Sequence, residues 1–200
     1  INVIRLDGSG DEVLIRPETL GSYWGVGSPV WSPDGQSIAF RAEWYERVGF
    51  PDVWVMDADG SNPRRLEGDG PGPGPFESNG DSPSWSPDGS TVMFSSKRWD
   101  GETLAYLLTS RRADGTGELG THFQSAPIGT IPTPIYSVDW SPHGRSVVFD
   151  TWSDVVETES RIFVLDLESG IASQLIPEAT GAGVLQPYQD FGVVWSRVIP

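Results

Sequence analysis

Short apolar stretches, each bounded by glycine, proline or aspartate, set the pattern of this chain. Ser37–Phe40, Thr91–Phe94 and Ser146–Phe149 are rich in β-branched and aromatic residues, and each ends on a phenylalanine nine positions after a tryptophan. Runs of that length and composition predict buried strands. Each is preceded by a tight-turn signal, at Ser32–Gly35, Ser86–Gly89 and Ser141–Gly144. Proline presets φ at the second turn position and glycine supplies the positive φ at the end, so these tetrapeptides predict hairpin turns between two apolar runs.

The turns belong to a repeated pentapeptide: WSPDG at 31–35 and 85–89, WSPHG at 140–144, and a cut-short WS at Trp195 and Ser196. The motif tryptophans lie 54 residues apart from 31 to 85, and 55 apart from 85 to 140 and from 140 to 195. A period that constant marks a repeat protein. The second half of the unit is copied too, as VWVMDADG at 53–60, TSRRADG at 109–115 and IFVLDLES at 162–169. Here a third strand is expected to turn at Asp59-Gly60, Asp114-Gly115 or Glu168-Ser169 into a short fourth strand ending at Leu66, Leu119 or Leu175.

Four antiparallel strands per unit cannot bury both sheet faces alone, so the units must stack. Radial stacking gives an all-β fold, a β-propeller of four-stranded blades, with Trp31, Trp85 and Trp140 buried in the wedges between neighbours. Repeats are placed at about 27–66, 81–119 and 136–175, with a partial blade from 1–16 and 191–200.

The pattern W-S-P-D-G-x-x-I-x-F, followed by DADGSNPRRL at 57–66, resembles the WD40-like PD40 repeat of the TolB-like propeller family. Similar blades occur in tricorn protease and in propeller domains of prolyl-oligopeptidase relatives. The likeness is specific for the fold and weak for function, because propellers host unrelated activities. It implies a bacterial protein of the periplasm or cell exterior.

The two ends depart from the pattern. Asp7 to Leu14 repeats the gap of seven from Asp59 to Leu66, so the chain is expected to open in the third strand of a blade. Three arrangements fit: a piece of a larger propeller, a small ring with one imperfect blade, or a blade completed by another molecule. An incomplete blade exposes unpaired strand edges, which admit a homo-oligomer or fibre.

Composition agrees with a loop-rich β body. Gly 24 and Pro 17 disfavour long helices, and the aromatic share of 11% is ample for a core. No run approaches the roughly 20 apolar residues of a membrane span. The absence of cysteine excludes thiol chemistry and fits either an exported or a cytosolic protein. A formal charge of −15 with a single lysine, Lys97, opposes nucleic-acid and anionic-membrane binding and favours a basic or neutral partner.

Candidate catalysis is thin. His143 replaces the turn aspartate, His122 is placed in a loop, and Ser32, Ser86 and Ser141 read as turn formers. No serine or aspartate is expected within hydrogen-bonding reach of either histidine, and no nucleophile elbow is present. Asp57–Ser61 superficially resembles a calcium loop but lacks its remaining ligands, so no metal or other cofactor is expected. Asp52, Asp139, Asp154 and Asp190 could approach a channel mouth.

Between the second and third strands, each unit carries an aromatic and acidic loop. Trp44 and Tyr45, Trp99 and Asp100, and Trp152 and Asp154 recur 12 to 14 positions after the motif tryptophan. Symmetry places them on one side of the ring, where tryptophan and tyrosine with flanking charges suit an interface or a sugar ring. Packing of each tryptophan against the next blade is the competing assignment. The connections at 68–81, 117–134 and 177–192 are expected as long loops.

The resulting expectation is a non-enzymatic propeller module with a protein partner. Alternatives are an accessory, substrate-filtering propeller of an exported hydrolase, a carbohydrate-binding propeller, and a subunit of an extracellular assembly joined by strand addition.

Overall fold

A computed structural model describes residues 1–44, 51–66, 77–78, 82–99, 102, 104–125, 134–153 and 159–175, without the side chains of residues 77, 78, 99, 152, 153, 159 and 160. The described residues are β-rich, with one 3-10 turn at Pro17–Leu20 and no helix long and apolar enough to cross a membrane.

A hairpin of β1 (Asn2–Val3) and β2 (Glu12–Val13) opens the chain. Blade one follows as an antiparallel sheet of β3 (Tyr23–Trp31), β4 (Ser37–Trp44), β5 (Asp52–Asp57) and β6 (Arg64–Arg65), in that order. In blade two, β7 (Glu77–Ser78) and β8 (Ser84–Trp85) share the inner edge of β9 (Thr91–Trp99), and β10 (Leu104–Arg112) and β11 (Gly120–Gln124) complete the sheet. Blade three runs β12 (Ile135–Trp140), β13 (Ser146–Ser153), β14 (Glu159–Asp166) and β15 (Ala172–Gln174).

The copied turns form as their chemistry dictates. In blade one the Gly35 N–H bonds the Ser32 carbonyl at 2.9 Å, with Gly35 at φ 69°. The Ser32 hydroxyl donates to Asp34 at 2.6 Å and accepts the Ser37 N–H at 2.9 Å, closing the strand ends around itself. Ser86 and Asp88 repeat the set, and Ser141 keeps the contact to the Ser146 N–H where His143 replaces the aspartate. These serines are turn formers.

Period-two alternation sorts the second strands into two faces. Phe40, Phe94 and Phe149 are all fully buried and face back along the chain. Ala39, Val53, Val55 and Leu66 of blade one make one core with Trp85, Val92, Phe94 and Ala113 of blade two. Met93 and Leu108 of blade two make the next with Ile135, Val138, Val147, Phe149 and Leu165. On the outward side of blade one, Ile38, Phe40 and Met56 pack with Ile15 and Tyr23, and Ile1 and Leu14 border them.

The opening hairpin sits where the outer half of a preceding blade would sit. The Ser9 amide and hydroxyl both bond Asp7, at 2.9 and 2.7 Å, as those of Ser61 bond Asp59 at 2.9 and 2.6 Å. A Cβ at Gly60 would run into the Leu14 carbonyl, whereas one at Gly115 would stand 4.0 Å from the Arg65 carbonyl, on the same side of its turn but in looser contact.

Three expectations need correction. Trp31 is 48% exposed whereas Trp85 is 7% exposed, because a motif tryptophan is covered by the inner strands of the preceding blade and no described residues supply them for Trp31. Trp140 is half-buried. The third outer turn is built differently: its positive-φ glycine is Gly170 and its capped carboxylate is Asp166, which accepts from the Ser169 amide and hydroxyl at 2.7 Å each. Glu168 and Ser169 do lie in the turn between the third and fourth strands, with the capped carboxylate just before them and the positive φ just after.

The fourth strand of blade two begins after Leu119 instead of ending there, since Gly117 at φ 77° adds a second kink after Gly115. Most of the expected 117–134 loop is thereby divided, and His122 lies on β11 rather than in a loop. Finally, the Ser110 hydroxyl and His122 Nε2 stand 2.7 Å apart, a serine–histidine contact that the sequence did not foreshadow.

Candidate binding face

In each blade the two turns lie side by side, tied by main-chain bonds: Ala58 N–H to Gln36, Ala113 N–H to Ser90 and Leu167 N–H to Arg145. All the tight turns therefore share one side of the sheets. At the opposite end stand the aromatic positions. Trp44 is the last residue of β4, Trp99 the last of β9, and Trp152 the penultimate residue of β13. Tyr45, Asp100 and Asp154 lie outside the described residues, as do the side-chain placements of Trp99 and Trp152.

Trp44 is half-buried and stacks on Tyr23, with ring centroids 5.8 Å apart and planes 22° off parallel. Tyr23 meets Trp54 edge-on at 5.6 Å. The Tyr23 hydroxyl donates to Asp52, whose other oxygen takes the Arg65 guanidinium at 2.9 Å. Burial, reinforced by the bond to Asp52, pushes the Tyr23 phenol well above its ordinary range. Trp44 is thus tied into blade one by packing. Tyr23 carried no signal in the sequence because it lies outside the copied segments, and Trp54, although inside the copied 53–60 segment, read only as a strand residue.

The same end is built differently in the other blades. In blade two Ser96 and Thr109 share a buried hydrogen bond of 2.6 Å, Lys97 lies over the Tyr106 ring at 5.3 Å, and Arg98 reaches Gln124 at 3.0 Å beside Trp99. In blade three the Asp150 carboxylate accepts from the amide and hydroxyl of Ser137 at 2.7 and 2.6 Å. Burial raises its pKa against those two bonds. The turn end is copied from blade to blade, and the opposite end is individual.

Two of the suggested channel-mouth carboxylates have partners among the blade residues. Asp52 is committed to Tyr23 and Arg65, and Asp139 accepts the Ser84 hydroxyl across a blade boundary at 2.9 Å. Asp154 and Asp190 are outside the described residues. Among the described residues no three His, Asp or Glu side chains gather as a metal site. Ser110 and His122 face each other across the outer strands of blade two, and burial holds the imidazole below its usual pKa. The serine is itself 9% exposed.

No protein-family model matches the chain. Among curated proteins it is 27% identical over 192 residues to the uncharacterized protein Atu1656 of Agrobacterium fabrum, covering 92% of this chain and 56% of that protein. It is also 32% identical over 87 residues to the Tol-Pal system protein TolB of Zymomonas mobilis, covering 44% of this chain and 16% of that protein. The chain thus spans about half of the first relative and a smaller part of the second.

Among solved structures, TolB from Acinetobacter baumannii overlays 90% of the chain and 38% of its own length at TM-score 0.60 and 18% identity. An oligogalacturonate lyase in complex with manganese overlays 92% of the chain and 43% of its own length at TM-score 0.63 and 18% identity. A putative TolB from Agrobacterium tumefaciens overlays 84% and 53%, at TM-score 0.57 and 24% identity. Identities this low show the fold alone. The chain has the fold of the TolB-like β-propeller proteins, in blades that do not close a ring among the described residues.

Proposed function

We propose that the chain is a non-enzymatic, TolB-like propeller module that binds a protein partner in the bacterial periplasm or outside the cell. The observation that carries this reading is the sidedness of the blades. On the turn side, Asp34, Asp59, Asp88, Asp114 and Asp166 each accept from their own turn's hydroxyl. A carboxylate satisfied within its own turn gains less from an outside partner. The opposite side carries tryptophan, the residue type most enriched in interface hot spots, at or one residue before the end of three equivalent strands. A net charge of −15 suits a partner with apolar and basic surface.

The test is capture from a bacterial envelope extract by wild type, Trp99→Ala and a turn-side control, Gln36→Lys. The reading expects a protein retained by wild type and control and lost with Trp99→Ala. Loss through the turn-side control instead, or turnover of oligogalacturonate or peptide substrates by the purified chain, would overturn it. An enzymatic reading starts from Ser110 and His122, so Ser110→Ala belongs in the turnover assay.

A further inference from the structure

Among aspartyl dipeptides Asp-Gly is the most prone to spontaneous backbone rearrangement, because the unhindered glycine nitrogen can attack the aspartyl side chain. Five such pairs fall in the described turns: Asp7-Gly8, Asp34-Gly35, Asp59-Gly60, Asp88-Gly89 and Asp114-Gly115. All five aspartates are exposed at the surface, while Gly60, Gly89 and Gly115 are half-buried. Each pair holds its reacting atoms in the same way.

The electrophile is occupied. Asp7 Oδ1 accepts a serine hydroxyl at 2.7 Å, Asp34, Asp59 and Asp88 accept one at 2.6 Å, and Asp114 accepts the Thr116 hydroxyl at 2.6 Å. In every case the same oxygen also accepts a main-chain N–H two residues on, at 2.8 to 3.0 Å. The nucleophile is occupied too. The amide N–H of Gly8, Gly35, Gly60, Gly89 and Gly115 is bonded at 2.9 Å to the carbonyl three residues back, which closes the turn.

We propose that the hydroxyl paired with each Asp-Gly is a chemical lock that keeps these five surface turns from converting to isoaspartate. In the suppressed reaction the glycine nitrogen loses its proton and bonds the aspartyl Cγ. The carboxyl –OH leaves as water, giving a five-membered succinimide. Addition of water to either ring carbonyl then restores aspartate or yields isoaspartate, so the sequence needs no co-reactant. The leaving step requires the protonated carboxyl. Hydrogen bonds that favour the ionised form keep that species scarce, and all five carboxylates are held below the ordinary range, with the hydroxyl as the largest cause. The turn bond engages the glycine N–H, the proton that must leave for the nitrogen to attack.

The lock occurs in two forms, and Asp88 carries both, because the Ser90 hydroxyl also donates to it at 2.9 Å. In the Trp-Ser-Pro-Asp-Gly turns the hydroxyl lies two residues before the aspartate, and in the outer turns it lies two residues after, at Ser9, Ser61 and Thr116. The outer form is separable from folding, because the Ser61 hydroxyl touches only its own turn.

The test is ageing of the folded chain at neutral pH in heavy-oxygen water, with peptide mass spectrometry counting label incorporated at each Asp-Gly. Short peptides of the same sequences give the unprotected rate. Folded wild type is expected to react more slowly than its peptides at all five pairs. Ser61→Ala is expected to raise the rate at Asp59 about fivefold or more, the weight of one lost hydrogen bond, leaving Asp34 and Asp88 unchanged as internal controls. Thr116→Val should do the same at Asp114. Wild-type rates equal to the peptide rates would overturn the proposal, and so would an Asp59 rate unmoved by Ser61→Ala. A rise at all pairs together would report loosened folding instead and would equally refute the lock.

Discussion

Trp85 donates its indole N–H to the main-chain carbonyl of Val30, 3.1 Å away on the preceding blade. The bond joins the inner strands of two neighbours and seats the ring over Ala39, Val53 and Val55. Nearby, a Cβ at Gly89 would lie 3.7 Å from Pro33, and one at Gly144 would lie 3.6 Å from Pro87, so each tight turn rests on the proline of the turn before it. Gly35 has no such neighbour within 4 Å among the described residues, in keeping with the exposure of Trp31.

The two tryptophans should therefore respond differently to truncation. Trp85→Ala removes a buried ring and its hydrogen bond and is expected to cost about 3–5 kcal/mol. Trp31→Ala in the same chain should cost under about 1 kcal/mol, the usual range for a surface change. Urea unfolding of both variants measures the difference. Equal losses would mean that Trp31 is covered in solution.

How much of this was legible depended on the range of the interactions. The Ser-Pro-Asp-Gly turns and the buried Phe40, Phe94 and Phe149 could be read because a turn is specified by its own four residues and a strand by its alternation. The fate of each motif tryptophan depends on a neighbour about fifty residues away, so identical motifs gave an exposed Trp31 and a buried Trp85. The Ser110–His122 contact follows a register shift between Leu108 and Thr109, which no sequence pattern announced. The sequence put Trp44, Trp99 and Trp152 in loops after the second strands, whereas the strands themselves run on to include all three, because pairing with neighbouring strands continues past the apolar runs. The Tyr23–Asp52–Arg65 cluster behind Trp44 was not legible, since it joins residues from three strands with no repeated counterpart.

Tyr23 sets an alkaline limit on stability. Its folded pKa lies above its ordinary value of 10.0, so the native state holds the phenolic proton more tightly than the unfolded chain does. That contribution is intact below pH 10 and is lost as pH rises through the folded value. Tyr23→Phe removes both the proton and the bond to Asp52. It should cost about 1–3 kcal/mol at neutral pH and flatten the fall in stability above pH 10, measured by denaturant titration across that range.

Asp150 gives the opposite kind of variant, one that stabilises. Burial raises its pKa above the ordinary 3.8, so the native state favours the protonated acid, and this contribution is present below pH 3.8 and lost as pH rises through the folded value. Asn keeps an acceptor oxygen for the Ser137 amide and hydroxyl and carries no charge. Asp150→Asn is expected to raise the thermal midpoint at neutral pH and to match wild type below pH 3.8. A gap that is the same at both pH values would show that the charge is not the cause.

Trp99 separates recognition from packing. If it anchors a partner, Trp99→Ala should weaken capture by roughly 2 kcal/mol or more, the range of interface hot spots, while the thermal midpoint stays nearly unchanged. Trp44→Ala is the contrasting variant, because its stacking on Tyr23 predicts a loss of stability as well. Parallel loss of stability and binding in Trp99→Ala would assign that ring to the blade.

The seam between blades one and two is closed at its outer edge by two arginines that cross in opposite directions. Arg64 Nε donates to the Ala113 carbonyl at 2.8 Å, and Arg111 Nη1 donates to the Leu66 carbonyl. Each guanidinium thus gives a main-chain carbonyl of the neighbouring blade a charged hydrogen bond. Methionine at either position keeps most of the apolar stem and loses the donor. Arg64→Met and Arg111→Met are therefore each expected to cost about 1.5–3 kcal/mol. The loss should be local to the seam: amide exchange at Leu66 and Ala113, whose N–H groups bond Val53 and Ser90, should accelerate, while exchange at Leu165, in the core between blades two and three, should follow global stability alone. Exchange accelerated equally at all three amides would show that the arginines stabilise the fold as a whole and do not act as a clasp between two blades.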